Sequence, residues 1–170
     1  KSFDYTFVVS YYNKIKEKNF KQKNFFVIHE SNLPENRGFS PLYWQILKGK
    51  SKIVYSIFAI NSKIDSGEIV YKKIFFFPKN IFYEEIKKLQ FENAIKIIKE
   101  FIKKGKKKYY LNKVKNTYLK KRTPKDSKIK LNKSLKSQIN LLRICSNENF
   151  PAYFTYKKKK FILKIIDSTR

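Results

Sequence analysis

Two short runs, Phe3–Val9 (FDYTFVV) and Phe25–Ile28 (FFVI), restrict the fold of this 170-residue chain more than any other feature. Both are rich in β-branched and aromatic residues, and their apolar character does not alternate, so neither leaves a face for water. Strands covered on both faces belong inside α/β sheets, and the stretch between the runs is long enough for a crossover between parallel neighbours. Tyr11–Lys18 is expected to form that crossing, helical or irregular. His29 follows the second run directly. It therefore stands at the carboxyl end of a strand, where open α/β sheets place their ligands.

The rest of the chain supplies the other layers. Ser40 as N-cap, Pro41 at the first helical position and Gly49 as the stop predict a helix over Pro41–Lys48, with Leu42, Tyr43 and Ile46 turned inward. Ile53–Ile60 and Val70–Phe77 read as strands, and Asp65-Ser66-Gly67 is a turn between them. Apolar residues at Ile86, Leu89, Ala94, Ile97, Ile98, Phe101 and Ile102 recur at the spacing of an amphipathic helix over Phe82–Lys103. Asn80 is its expected cap, Glu84 and Glu85 suit the positive end of its dipole, and Gly105 ends it. Lys106–Lys128 reads as a lysine-rich connector that divides the chain into residues 1–105 and 106–170. The second part should contain a short helix marked by Leu135, Ile139 and Leu142. A strand pair, Ala152–Tyr156 and Phe161–Ile166, should follow, turning at Lys157–Lys160.

Composition excludes several functions. A single cysteine, Cys145, forbids an intramolecular disulfide, and with one histidine it cannot complete a four-ligand zinc site. No metal is expected. No apolar run reaches the roughly 18 residues of a membrane span, and no signal peptide opens the chain, which predicts a cytoplasmic protein. The net charge of +27 suggests polyanions, yet only four of the 40 basic residues are arginine, the side chain suited to bidentate phosphate recognition. Lys, Ile, Asn, Phe and Tyr are also residues of A/T-rich codons, so much of the charge is read as solvated surface. The absence of methionine leads us to expect a chain whose N-terminal part is missing.

The chemistry concentrates between Phe25 and Ile69. An imidazole can donate to a developing oxyanion or accept a proton near neutral pH, and a carboxylate beside it would favour the imidazolium and fix its tautomer. His29 and Asp65 are that candidate pair. In sequence, His29-Glu30-Ser31-Asn32-Leu33-Pro34, Arg37-Gly38 with Pro41, and Asp65-Ser66-Gly67-Glu68-Ile69 resemble the formyltransferase pattern His-x-Ser-x-Leu-Pro, Arg/Lys-Gly and Asp-x-Gly-x-Ile. Gly38-Phe39-Ser40-Pro41-Leu42 with Trp44-Gln45-Ile46-Leu47 is most similar to sugar N-formyltransferases acting on nucleotide-linked amino sugars of the pseudaminic acid type. Arg122-x-Pro124-x-Asp126-Ser127, Asn140-Leu141-Leu142-Arg143 and Pro151-Ala152-Tyr153-Phe154 look like the C-terminal region of that group.

The resemblance implies an α/β fold, the C-terminal half of a Rossmann-like formyltransferase domain followed by a small α+β subdomain. It implies transfer of a formyl group from 10-formyltetrahydrofolate to a primary amine on a nucleotide-linked amino sugar, as in surface polysaccharide biosynthesis. His29 would donate to the oxyanion and shuttle a proton, while Asp65 would orient it and help take the amine's proton. Ser31, Pro34, Arg37, Gly38, Trp44 and Gly67 would shape the loops or contact substrate and cofactor. Enzymes of this kind make a homodimer plausible. Two departures stand out: Val27 replaces the asparagine usually found two residues before the histidine, and the opening βαβ units have no counterpart before Lys1. Aminoacyl-tRNA as the acceptor is the first alternative. An inactive remnant, or a basic binding module, is the second.

Overall fold

The computed structural model describes residues 4–11, 24–62, 65–109 and 116–168. Its main sheet has four strands: β1 (Thr6–Val8), β2 (Phe25–His29), β4 (Lys52–Ala59) and β5 (Ile69–Phe76), in the order β1-β2-β4-β5. β1 and β2 run parallel, as their unbroken apolar character demanded, while β4 is antiparallel to both β2 and β5. The crossing expected after Tyr11 lies outside the described residues.

Between these strands sit a two-residue strand β3 (Arg37–Gly38) and helix α1 (Pro41–Leu47). Ser40 occupies the N-cap position but makes no side-chain cap bond, because its backbone is left-handed (φ 51°) and the hydroxyl is not presented to the first turn. Proline at the first helical position sets the start instead. The expected inward face is correct, with Leu42, Tyr43 and Ile46 buried, and Gln45 joins it.

One face of the sheet packs on α2 (Tyr83–Lys104). Phe26, Ile28, Ile53, Tyr55, Ile57 and Phe75 meet Ile86, Ala94, Ile97 and Phe101, and the Phe101 ring stands edge-on to Phe26 at 5.2 Å. Ile102, expected inside, is 53% exposed, and buried Asn93 takes a place on the inner face. Asn80 does not cap the helix: Phe82 occupies that position, and its backbone N–H donates to the Glu85 carboxylate at 3.1 Å. Gly105 ends the helix at φ +73° and donates its N–H to Phe101 O.

The lysine-rich stretch after α2 is not featureless. Its described part forms β6 (Tyr118–Leu119), which pairs in parallel with β3, and a 3-10 turn over Pro124–Ser127. Helix α3 (Ile139–Arg143) and the hairpin β7 (Ala152–Tyr156) and β8 (Lys159–Leu163) complete the chain. The hairpin turn is tighter than expected. Lys157 and Lys158 alone form it, both at positive φ, so β8 begins at Lys159.

Two buried arginines brace this last unit. Arg143 donates to Ile81 O, Pro78 O and Asn140 Oδ1; Arg122 donates to Ile144 O and lies between the rings of Tyr43 and Phe150. Cys145 is buried, and burial pushes its pKa up. Among the described residues no helix is long and apolar enough to cross a membrane.

Candidate active site

The alternation of β2 decides which residues share the site. Phe26 and Ile28 point into the core, so His29 projects from the opposite face with Val27. On that face His29 pairs with Ser56 of β4, which in turn pairs with Lys72 of β5. Val27 packs against the apolar cluster of Leu33, Phe58 and Ile69. It offers no polar atom where the family resemblance would place an amide.

The loop leaving β2 is fixed at many points, and the sequence motif is spent largely on fixing it. Ser56 donates to Ser31 O at 2.7 Å, and Ser31 donates to Glu35 O at 2.7 Å. The Leu33–Pro34 peptide is cis. Gln45 of α1 donates to Glu30 O at 2.6 Å, while Lys72 reaches across from β5 to Asn32 Oδ1 at 2.7 Å and Leu33 O at 2.8 Å. Burial pulls the Lys72 ammonium below its ordinary pKa, consistent with an ion whose main duty is to these two acceptors.

The second half of the loop is held by β6. Arg37 N–H donates to Thr117 O and Phe39 N–H to Leu119 O, while the Thr117 hydroxyl accepts from Asn36 N–H. Gly38 is obligatory here: at φ +96°, a Cβ would stand 2.5 Å from Leu119 O. Trp44 belongs to the same clamp, donating its indole N–H to Lys120 O at 2.9 Å under the Lys120 ammonium. The structure thus gives Trp44 a positioning contact.

Asp65 and His29 converge across this loop. Gly67 lets the turn close, since its Cα lies so near β4 that an added Cβ would fall 1.6 Å from Ala59 O. Asp65 Oδ2 accepts Gly38 N–H at 2.7 Å and lies 3.8 Å from His29 Nδ1. His29 Nε2 is 2.8 Å from Asn36 O. A carbonyl can only accept, so Nε2 carries the proton and Nδ1 is the nitrogen that gains or loses one. That nitrogen is the one turned toward the carboxylate. Both groups are largely shielded from water, with 7% and 15% of their side-chain surfaces exposed.

Glu30 is the residue that sequence reasoning passed over, although it lies inside the quoted motif. Its side chain points away from His29 into the α2 interface, buried, and accepts from Gln90 Nε2 at 2.6 Å. Burial pushes its carboxyl above the usual range, against the opposing pull of Gln90 and His29. Beside it lies the buried Tyr55 hydroxyl, whose pKa is driven upward by burial and by Glu30 against the pull of Asn93. A charged residue in a strand-ending motif was the available signal.

A cleft of about 840 Å³ lies between the start of α2 and the C-terminal residues Ile165–Ser168, and shares no residue with this site. Among the described residues no group of His, Cys, Asp and Glu could hold a metal ion.

No family model matches the chain. Among curated proteins, methionyl-tRNA formyltransferase from Flavobacterium psychrophilum is 40% identical over 48 residues, covering 28% of this chain and 15% of that protein. The enzyme of the same name from Rickettsia bellii is 36% identical over 59 residues, covering 35% and 19%. The match therefore spans less than a fifth of either curated relative. Among solved structures, methionyl-tRNA formyltransferase from Clostridium thermocellum has a TM-score of 0.74 at 22% identity, covering 91% of this chain and 68% of that one. A 4-N formyltransferase from Francisella tularensis gives 0.69 at 18%, covering 96% and 70%. A sugar 3N-formyl transferase crystallised with dTDP and 5-N-formyl-THF gives 0.68 at 22%, covering 92% and 58%. The expected fold class is confirmed: the chain has the α/β fold of these formyltransferases and spans 58–70% of their length.

Proposed function

We propose that this chain carries the reacting end of a formyltransferase, moving a formyl group from 10-formyltetrahydrofolate to the primary amine of a nucleotide-linked amino sugar. The observation that carries this reading is the meeting of His29 and Asp65 at the end of β2, with Gly38 N–H bound to the same carboxylate. In the reaction the amine nitrogen bonds to the formyl carbon and the bond from that carbon to the folate nitrogen breaks. The amine loses one proton and the folate nitrogen gains one. His29 Nδ1 and Asp65 are the groups placed to carry that proton. His29 donates to the oxygen that becomes negative if its Nε2–H leaves Asn36 O for that oxygen, an interaction worth about 3 kcal/mol where comparable donors have been removed. With Val27 apolar and Ser56 committed to Ser31 O, His29 is the side-chain donor on its part of the face. Residues 1–105 would hold the chemistry, and residues 106–170 would brace the site loop and the core, in the cytoplasm.

The test is incubation of the protein with 10-formyltetrahydrofolate and nucleotide-linked 4-amino sugars, following tetrahydrofolate release. Turnover lost in His29→Ala and Asp65→Asn supports the reading. Turnover indifferent to His29→Ala removes it.

A second reading keeps the chemistry and takes an aminoacyl-tRNA as acceptor. The observation behind it is that the three curated matches are methionyl-tRNA formyltransferases. It requires RNA binding that weakens steeply with salt. A flat salt response would eliminate it.

A further inference from the structure

We propose that the tip of the β7–β8 hairpin docks the protein on an anionic bilayer, seating Tyr156, Phe161 and Ile162 in the headgroup layer while the lysines at 157–160 bind acidic lipids. The inference is independent of the formyl-transfer reading, and the hairpin shares no residue with the His29–Asp65 site.

Only the base of the hairpin is anchored. Ala152 and Leu163, paired across it, pack with Ile129, Leu142 and Cys145, and Ile129 N–H donates to Tyr153 O at 2.7 Å. Beyond the stacked rings of Phe154 and Phe161, whose centres are 5.3 Å apart, the ribbon projects into solvent, and every residue from 155 to 162 is exposed. Tyr156, Phe161 and Ile162 are 54%, 42% and 57% exposed. Alternation puts the two rings on one face of the ribbon and Ile162 on the other, so apolar side chains flank the turn on both sides.

The charge is as one-sided as the apolar surface. Residues 150–166 carry five lysines and no acidic residue. The Lys160 ammonium lies 4.4 Å from the Tyr153 ring centre and that of Lys157 5.7 Å from Tyr156, which holds both charges against the hairpin. Turn chemistry does not ask for lysine here. Lys157 and Lys158 have φ of 45° and 66°, a conformation that Asn and Gly adopt more easily in a two-residue turn. Asn would also suit A/T-rich codons, so composition does not account for a Lys-Lys turn.

The lysines call for an anionic partner, and the side chains among them single out a bilayer. Lysine stems lie along apolar surface and carry their ammonium groups to acidic headgroups, while tyrosine and aliphatic side chains settle at the interface. A second copy of the chain would bring one lysine run against another. A free phosphate would leave Phe161 and Ile162 in water. RNA could stack on the rings, but Ile162 offers no stacking surface and the hairpin carries no arginine.

Vesicle flotation at physiological salt tests this with the chain and vesicles of phosphatidylcholine, alone or mixed with phosphatidylserine. The mixed vesicles should bind at least about tenfold more tightly. Because the whole chain carries a net charge of +27, a charge-matched control decides whether the hairpin is responsible. Lys157→Asn/Lys158→Gly suits the turn, removes two charges and should weaken binding about tenfold. Lys87→Gln/Lys88→Gln, on the exposed face of α2, should weaken it by less than about threefold. Ile162→Thr keeps strand propensity and every charge and should weaken binding about fivefold, while Ile162→Phe retains it. Thermal melts confirm that the variants fold. Equal losses in the two lysine pairs, or unchanged binding in Ile162→Thr, overturn the docking element and leave diffuse charge alone. It is overturned as well by an RNA hairpin that binds through the same lysines more tightly than the mixed vesicles, or by a dimer in sedimentation that Ile162→Thr dissociates.

Discussion

Gly67→Ala offers a severe test of the site because the methyl group has nowhere to go. The added Cβ would fall 1.6 Å from Ala59 O and 2.8 Å from Ala59 C, both backbone atoms of β4, whereas real Cβ contacts essentially never come under 3.0 Å. At least 1.4 Å of separation must be found between those limits. β4 is hydrogen-bonded to a neighbour on each side, and Ala59 N–H is itself bonded to Glu68 O, so the turn carrying Asp65 must yield. A shift of that size takes the bond between Gly38 N–H and Asp65 from 2.7 Å to about 4 Å, outside hydrogen-bond range. It also breaks the alignment of Asp65 with His29. Loss of one charge-assisted bond costs about 2 kcal/mol, which lowers the melting temperature by about 4–8 °C. Misplacing a reacting group by about 1 Å costs about 100-fold in rate. The assay is formyl transfer alongside thermal melting, with Asp65→Asn and the Gly67→Ala/Asp65→Asn double variant beside it. If Gly67→Ala acts by removing Asp65, the double variant loses no more activity than the worse single one. Activity within threefold of the parent and an unchanged melt would refute the reasoning.

Three further outcomes are expected. Lys72→Met leaves Asn32 Oδ1 and Leu33 O without their donor and should destabilise the chain by about 1–3 kcal/mol, read by urea unfolding. Glu30→Gln keeps an acceptor for Gln90 and removes an acid whose folded pKa is raised by burial. The raised carboxyl binds a proton that the unfolded chain has released. It therefore lowers stability as pH rises above its ordinary value of 4.5, and the variant should be the more stable at pH 7.5, with the gain vanishing below pH 4.5 in denaturation curves. Val27→Asn places an amide donor two residues before His29, and should raise the rate constant by up to about 100-fold if it reaches the oxyanion. A destabilised variant with no gain in rate would show instead that the amide is captured by the Leu33, Phe58 and Ile69 pocket.

What could be read from the residues was whatever a local pattern encodes. Unbroken apolar runs gave β1 and β2 as parallel neighbours and put His29 at a strand end, because burial on both faces leaves a strand few other places in a small α/β sheet. The spacing of α2 gave its inner face except at Ile102, because Phe101 takes the inward direction in that turn and leaves Ile102 off the buried face. The site was harder. His29 and Asp65 could be paired through resemblance, but their surroundings depend on contacts between residues far apart in sequence: Lys72 with Asn32, Thr117 with Asn36, Lys120 with Trp44. A stretch read as a lysine-rich connector proved to contain β6, because a two-residue strand has no period to detect and is created by the Gly38 loop it meets. The same reason applies to Arg37, expected to shape the loop or contact substrate and cofactor: its place over the Tyr118 ring exists only once the two strands are together.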